Sequence, residues 1–425
     1  MYNNINLTEE RAKTIRKELR FSGIFPGGGK FERNIPLVSS FLHEAEKDYM
    51  KKPLSTDLSG EEVGLLENEI ANYMGKKYAT ALASGSAAIK LALQLAAGRG
   101  YGKRVFCSDF APETLANSVL QEGFELVFVD VSYDDWCMEP EILEQAFAAY
   151  PDVKLVLMNH AYGFPGRAVE IKHICEANDA LLIEDASESF GAACFSAKTG
   201  AIGDYGILDF GPDRIITGDG GGMLLTNEET LCRSKMQCEM TDRTAALIRA
   251  QLKHLEERID KKRVIYERYL DAFQADGLVN MPVAEEGQVP NYWISCGVCD
   301  SGIQFREERT ETGYTYTDQH GTASPMEVCD ALHAFGAEAY PVYKPLSMQP
   351  MYQDCDLITA EGSQKASHGE IDSAGREVFK TAICLPCDIH MTREEQDTII
   401  EIIRACFNEK NFNREDWMTG MEKIS

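Results

Sequence analysis

The chain has 425 residues, 44% hydrophobic and 26% charged, which is long enough for two cores and ordinary for a globular protein. A formal net charge of −26 argues against a nucleic-acid partner, because phosphate backbones demand a basic surface, but leaves room for a small anion in a local positive pocket. No apolar run approaches the roughly 20 residues that span a bilayer, and Met1 to Lys17 carries no apolar signal core, so no membrane association and a cytoplasmic location are expected.

Residues 1–34 read as a polar N-terminal extension, with a helical stretch from Leu7 to Leu19 and the run Gly27-Gly28-Gly29. Glu61 to Met74 is predicted to be an amphipathic helix, because Val63, Leu66, Ile70 and Tyr73 recur at helical spacing. Short apolar runs then alternate with helical segments as far as Phe210, the pattern of a mostly parallel α/β sheet. Strands are expected at Tyr78–Leu82, Arg104–Cys107, Glu125–Val129, Leu155–Asn159, Leu181–Glu184 and Gly206–Phe210. Helices are expected at Ser86–Ala96, Pro112–Gln121, Glu139–Ala149 and Ala168–Ala177. A strand at Gly222–Thr226 follows a glycine run. One long charged helix, from about Ala245 to Phe273, then links a large domain (35–262) to a smaller C-terminal α+β domain (263–425). Asp300–Thr322 reads as a loop or small hairpin.

Thirteen cysteines, an odd number spread from Cys107 to Cys406, suit reduced thiols better than a disulfide framework. The pairs Cys296/Cys299 and Cys384/Cys387 have a spacing that could serve zinc. A strand sends residues three apart to opposite faces, however, so buried structural thiols are expected and no metal.

In open parallel sheets, ligands bind at the carboxyl ends of the strands. The turn Ala83-Ser84-Gly85-Ser86 opens a helix there and offers free N–H groups to an anion. Asp185 ends an apolar run, placed either to cap a following helix or to pair with a cofactor's ring nitrogen. Gly218-Asp219-Gly220-Gly221-Gly222 has no GK[ST] ending and is not a nucleotide P-loop.

The order of these segments resembles the DegT/StrS family of sugar aminotransferases, which act on nucleotide-linked keto-sugars. Further matching segments are Gly60-Glu61-Glu62-Val63, Leu115-Ala116-Asn117, Phe128-Val129-Asp130-Val131 and His160-Ala161-Tyr162-Gly163. The series continues with Arg249-Ala250-Gln251-Leu252, Asn291-Tyr292-Trp293, Tyr343-Lys344-Pro345-Leu346-Ser347 and Cys384-Leu385-Pro386, so that the resemblance covers roughly residues 54–408. It implies a fold-type I pyridoxal-phosphate transferase, α/β, with a large, mostly parallel sheet and a smaller C-terminal domain. It also implies pyridoxal phosphate as cofactor, a nucleotide sugar as ligand, and a homodimer or a heterodimer with an active paralogue. Carried over to this chain, the cofactor positions are Gly85, Ser86, Pro112, Asp185, Glu188 and Asp209, and the substrate positions are His160, Tyr162, Lys344 and Ser347.

The chain departs from the family pattern at several of these positions. Where the family has Ser-Phe-x-x-x-Lys, with the lysine forming the Schiff base, this sequence reads Asp209-Phe210-Gly211-Pro212-Asp213-Arg214. Arginine stays protonated and can neither form the imine nor shuttle the proton. A carboxylate at 209 repels the cofactor phosphate: at about 4 Å and an effective dielectric near 20, roughly 4 kcal/mol, or about three decades of affinity. Pro112 stands where an aromatic stacks on the pyridine ring, Ser347 stands at a family histidine, and the segment from Asn227 to Gln251 is short for the family.

These departures favour a degenerate homologue that serves as a binding or partner protein, with Arg214 filling part of the vacated cavity and pairing with Asp185, Asp209 or both. Two alternatives retain catalysis. One is an aminotransferase whose lysine is Lys198 or Lys235, and the other a dehydratase with altered residues in which His160 or a residue from a partner subunit carries the proton.

Overall fold

The computed structural model describes residues 31–38, 60–218, 220–229, 240–299, 307–310, 313–316, 324–367 and 371–407. The helix expected at Leu7–Leu19, the glycine run at 27–29 and Lys235 lie outside the described residues.

Helix α1 (Glu61–Met74) has the predicted bounds and buries Leu66, Ile70, Ala71 and Met74 along one stripe. It stops where Gly75 turns left-handed at φ 71°, and the Lys76 N–H closes back on the Ala71 carbonyl at 3.1 Å. The predicted alternation follows as β1 (Tyr78–Leu82), α2 (Gly85–Ala97), β2 (Arg104–Ser108), α3 (Glu113–Gln121), β3 (Glu125–Val129) and α4 (Pro140–Ala149). It continues with β4 (Leu155–Asn159), α5 (Ala168–Ala177), β5 (Leu181–Asp185), β6 (Tyr205–Asp209) and β7 (Gly222–Thr226).

The single long helix expected from Ala245 to Phe273 is instead two, α6 (Asp242–Leu252) and α7 (Leu255–Asp276). The break falls just after Gln251, which is fully buried. Its carboxamide bonds both backbone groups of Thr217 and receives Arg258 Nη1 at 2.8 Å, so tertiary bonds fix the turn there.

Beyond it come β8 (Val279–Asn280), β9 (Ser295–Cys299), α8 (Pro325–Phe335), β10 (Tyr340–Pro341), β11 (Asp356–Thr359), β12 (Gly362–Lys365), α9 (Ala374–Thr381), β13 (Ala382–Leu385) and α10 (Arg393–Phe407). Strands β8, β9, β13 and β10 form a small antiparallel sheet in that order. Within 300–322, the described residues pair Glu307–Thr310 with Gly313–Tyr316 as a hairpin. The hairpin β11–β12, although it comes after residue 262, returns to the far edge of the large sheet and pairs in parallel with β3.

The large sheet runs β1-β7-β6-β5-β4-β2-β3-β11-β12, with β6 to β11 mutually parallel and β7 antiparallel to both neighbours. Every residue of β4 and β5 is buried, as expected of parallel strands covered on both faces. Alternate residues serve alternate layers. Leu157 and Ile183 join Ile89, Leu93, Leu115 and Val119 under α2 and α3, whereas Val156 and Leu182 join Leu143, Phe147, Ile171 and Cys175 under α4 and α5. Chain order reverses between β2 and β4, which puts a crevice at their carboxyl ends. Among the described residues, no helix is long and apolar enough to cross a membrane.

Candidate functional site

The carboxyl ends of β2, β4, β5 and β6 bring Asp109, His160, Asp185 and Asp209 to that crevice. The turn after β1 adds the amino terminus of α2, where Ser84 is an extended N-cap whose Oγ accepts the Ala87 N–H at 3.2 Å. Gly85 and Ser86 open that helix, and Pro112 stands at the N-cap of α3.

Arg214 lies at the centre. Its Nε donates to Asp209 Oδ2 at 3.2 Å, its Nη1 stands 3.6 Å from Glu188 Oε1, and its guanidinium lies 5.1 Å over the Trp293 ring. The side chains of Arg214 and Asp209 are 15% and 23% exposed, so this pair is largely withdrawn from water. Burial opposes the charge on Arg214, but Glu188, then Tyr343, Asp209 and Asp185, together hold its pKa above the ordinary value. Of the two expected partners, Asp209 makes the ion pair. Asp185 acts on Arg214 through its field while accepting hydrogen bonds from the N–H and Oγ of Ser187.

Glu188 is buried and fully engaged: Oε2 accepts the Tyr162 N–H at 2.9 Å and Oε1 the Tyr343 hydroxyl at 2.6 Å. Burial raises the pKa of Glu188, and Arg214 and Tyr343 pull it back. Tyr162 sits at φ 53°, stacks on Tyr343 at 4.9 Å, and accepts the Tyr343 N–H on its hydroxyl at 2.8 Å. Trp293 is nearly parallel to Tyr162, with 6.3 Å between ring centroids, and its Nε1 donates to the Asp213 carbonyl at 2.7 Å. Asn291 clamps this wall from beneath, reaching the carbonyls of Glu188 and Phe190 at 3.0 Å.

Three expected substrate positions are buried: Tyr162, whose hydroxyl is taken by the Tyr343 N–H, His160 and Ser347. His160 is fully buried and its Nε2 meets Glu184 Oε1 at 2.8 Å, so it is used within the sheet layer. Ser347 is buried at 1% exposure, with its N–H and Oγ both on the Asp109 carboxylate at 2.7 and 2.8 Å. Lys344 is half-buried beside Tyr343. Lys198 is held over the Tyr73 ring at 4.1 Å. The paired cysteines are buried thiols, Cys296 lies opposite Cys384 across β9 and β13, and no group of three or more possible metal ligands occurs among the described residues.

Sequence reasoning missed Tyr343 and Asp109. Tyr343 stood inside the motif from which Lys344 was selected, and a carboxylate closing the apolar run Val105–Ser108 was the available signal for Asp109. Burial pushes the pKa of Asp109 up to about 7, against the bonds from Ser347. The folded state therefore keeps a proton that the unfolded chain releases near pH 4, and stability falls as pH rises from about 4 to about 7. Asp109→Asn, neutral throughout, is expected to be the more stable protein at pH 8 by on the order of 2 kcal/mol and to lose that advantage by pH 4. Thermal melts at the two pH values test this, and an equal advantage at both would sink the assignment.

A mostly parallel sheet with a topological switch point at its carboxyl edge and a carboxylate ending the strand beside it is the architecture of pyridoxal-phosphate-dependent aminotransferases. Within that class the chain belongs to the DegT/DnrJ/EryC1/StrS aminotransferase family, whose model matches residues 42–238 and 234–404. It is 31% identical over 395 residues to EpsN of Bacillus subtilis, assigned to the pyridoxal phosphate-dependent aminotransferases, covering 87% of this chain and 92% of that protein. It is 26% identical over 343 residues to the GDP-perosamine synthase of Escherichia coli O157:H7, covering 75% and 87%. In fold it resembles Helicobacter pylori PseC, an aminotransferase of pseudoaminic acid biosynthesis, with a TM-score of 0.74 and 16% identity over 88% of this chain and 99% of that one.

Proposed function

We propose that this chain is a family member that no longer transaminates and instead serves as a binding or partner protein in cytoplasmic nucleotide-sugar metabolism directed to surface polysaccharide. The observation that carries the reading is Arg214, seated among Asp209, Glu188 and Trp293 where the family pattern calls for the Schiff-base lysine. Pyridoxal phosphate is the family's cofactor, and the residues present do not fit it. The imine-forming amine is replaced by a guanidinium, Pro112 offers no ring to stack on, and an acidic side chain sits on the helix terminus suited to a phosphate. Lys198, over the Tyr73 ring, does not stand at the strand-end position that the family pattern gives the lysine.

The nucleotide-sugar class follows from relatives such as the GDP-perosamine synthase. Dimerisation, with a second copy or with an active paralogue, accords with the family. Purified protein titrated with pyridoxal phosphate is expected to leave the free-aldehyde absorbance unshifted, and borohydride is expected to trap no lysine. A shifted band with a labelled lysine would restore the alternative, an active aminotransferase or dehydratase with altered residues.

A further inference from the structure

Three N–H donors in the first turn of α2, those of Gly85, Ala87 and Ala88, are already taken by groups of the chain itself. Gly85 N–H donates to Asp209 Oδ1 at 3.0 Å, while Ala87 N–H and Ala88 N–H go to Ser84 Oγ and Ser84 O at 3.2 Å. The second oxygen of Asp209 accepts Gly211 N–H at 3.4 Å and Arg214 Nε at 3.2 Å. The fit is close, because a Cβ added at Gly85 would stand 2.7 Å from Asp209 Cβ. Arg214 is itself fixed from behind by the Trp293 ring and Glu188.

We propose that the Asp209 carboxylate is a built-in anion, occupying the place at the α2 terminus that a ligand's phosphate group needs, with Arg214 as its counter-ion, and so closing that terminus, though not the rest of the cleft, to phosphate. Carboxylate and phosphate compete for the same donors: N–H groups at the positive end of a helix. An incoming phosphate meets Gly85 N–H already engaged and a like charge beside it. Arg214 does not reverse that repulsion, because its charge is shared between Asp209 and the buried Glu188. The inference deepens the reading above and rests on it for the absence of a lysine that could hold an aldehyde covalently.

The test uses full-length wild type, Asp209→Asn and Asp209→Ser, each checked for folding by circular dichroism and titrated by equilibrium dialysis with pyridoxal phosphate, pyridoxal and inorganic phosphate. Wild type is expected to bind the two phosphate-bearing probes negligibly. Asp209→Asn, which removes the charge and keeps the shape, is expected to tighten both by about a hundredfold or more, while pyridoxal moves by less than about twofold. Asp209→Ser is expected to gain at least as much, and if it does not fold the asparagine variant decides alone. A gain shared equally by pyridoxal, or no gain in a folded variant, would overturn the proposal. A silent wild type with no gain in the variants removes this inference alone, whereas a borohydride-trapped lysine in wild type removes the reading on which it rests.

Discussion

Arg214→Met is expected to destabilise the fold by about 3 kcal/mol at pH 7.5 and by clearly less at pH 5. Methionine retains most of the apolar stem while removing the positive charge that pairs with Asp209 and Glu188 and lies over the Trp293 ring. Without it, Glu188 and Asp185 remain buried carboxylates whose pKa values burial already raises. The direction of the pH effect follows from that raise. Above the ordinary carboxylate range the folded variant holds protons that the unfolded chain has released, so its stability falls as pH rises, by up to about 1.4 kcal/mol per pH unit and group. Below that range both states are protonated and the penalty disappears. Urea unfolding of both proteins at the two pH values measures the gap. A gap that does not change with pH would assign the loss to packing on Trp293 and not to charge.

Gly222→Ala is expected to cost at least about 3 kcal/mol or to prevent folding. Gly222 begins β7 and is the register partner of Leu82 on one side and Asp209 on the other. A methyl group there would collide with the backbone of Ser84 and with the Gly85 nitrogen. Those atoms belong to the turn that opens α2 and cannot swing aside as a side chain can, so either β7 leaves the sheet or the turn opens. Gly64→Ala is the comparison, since Gly64 lies inside α1 with nothing within 4 Å, and alanine is expected there to be neutral or mildly stabilising. Chemical denaturation of the pair, compared with wild type, checks both; similar behaviour would mean that the close approach of β7 to the turn does not constrain the fold.

The parts of this fold that were legible in the sequence are those set by local pattern. Leu155–Met158 is a run of apolar residues because both faces of β4 are covered, and Ala168–Ala177 repeats at helical spacing because one face of α5 is. The acidic residue ending β5 and the small-residue turn before α2 were legible for the same reason: they sit where a strand stops and chain direction must change. What was not legible depends on partners distant in sequence. The polar residues around Lys253 continue a helical pattern on both sides, and only the buried Gln251 amide, bonded to Thr217, marks the break. Ser347 reads as a cleft residue until Asp109, from the far side of the sheet sequence, takes both its donors. His160 likewise reads as a proton carrier until Glu184 of the neighbouring strand is placed beside it.

The late hairpin Asp356–Lys365 has a mechanical consequence. It leaves the smaller lobe, adds two strands to the far edge of the large sheet, and the chain then goes back to supply β13 at the heart of the small sheet. The lobes are therefore laced together at more than one place, unlike two bodies joined at a single pivot. Any opening of the cleft large enough to admit a ligand has to shear along that lacing or flex within one lobe, because a simple swing about the α6–α7 break would pull β11 from its pairing with β3.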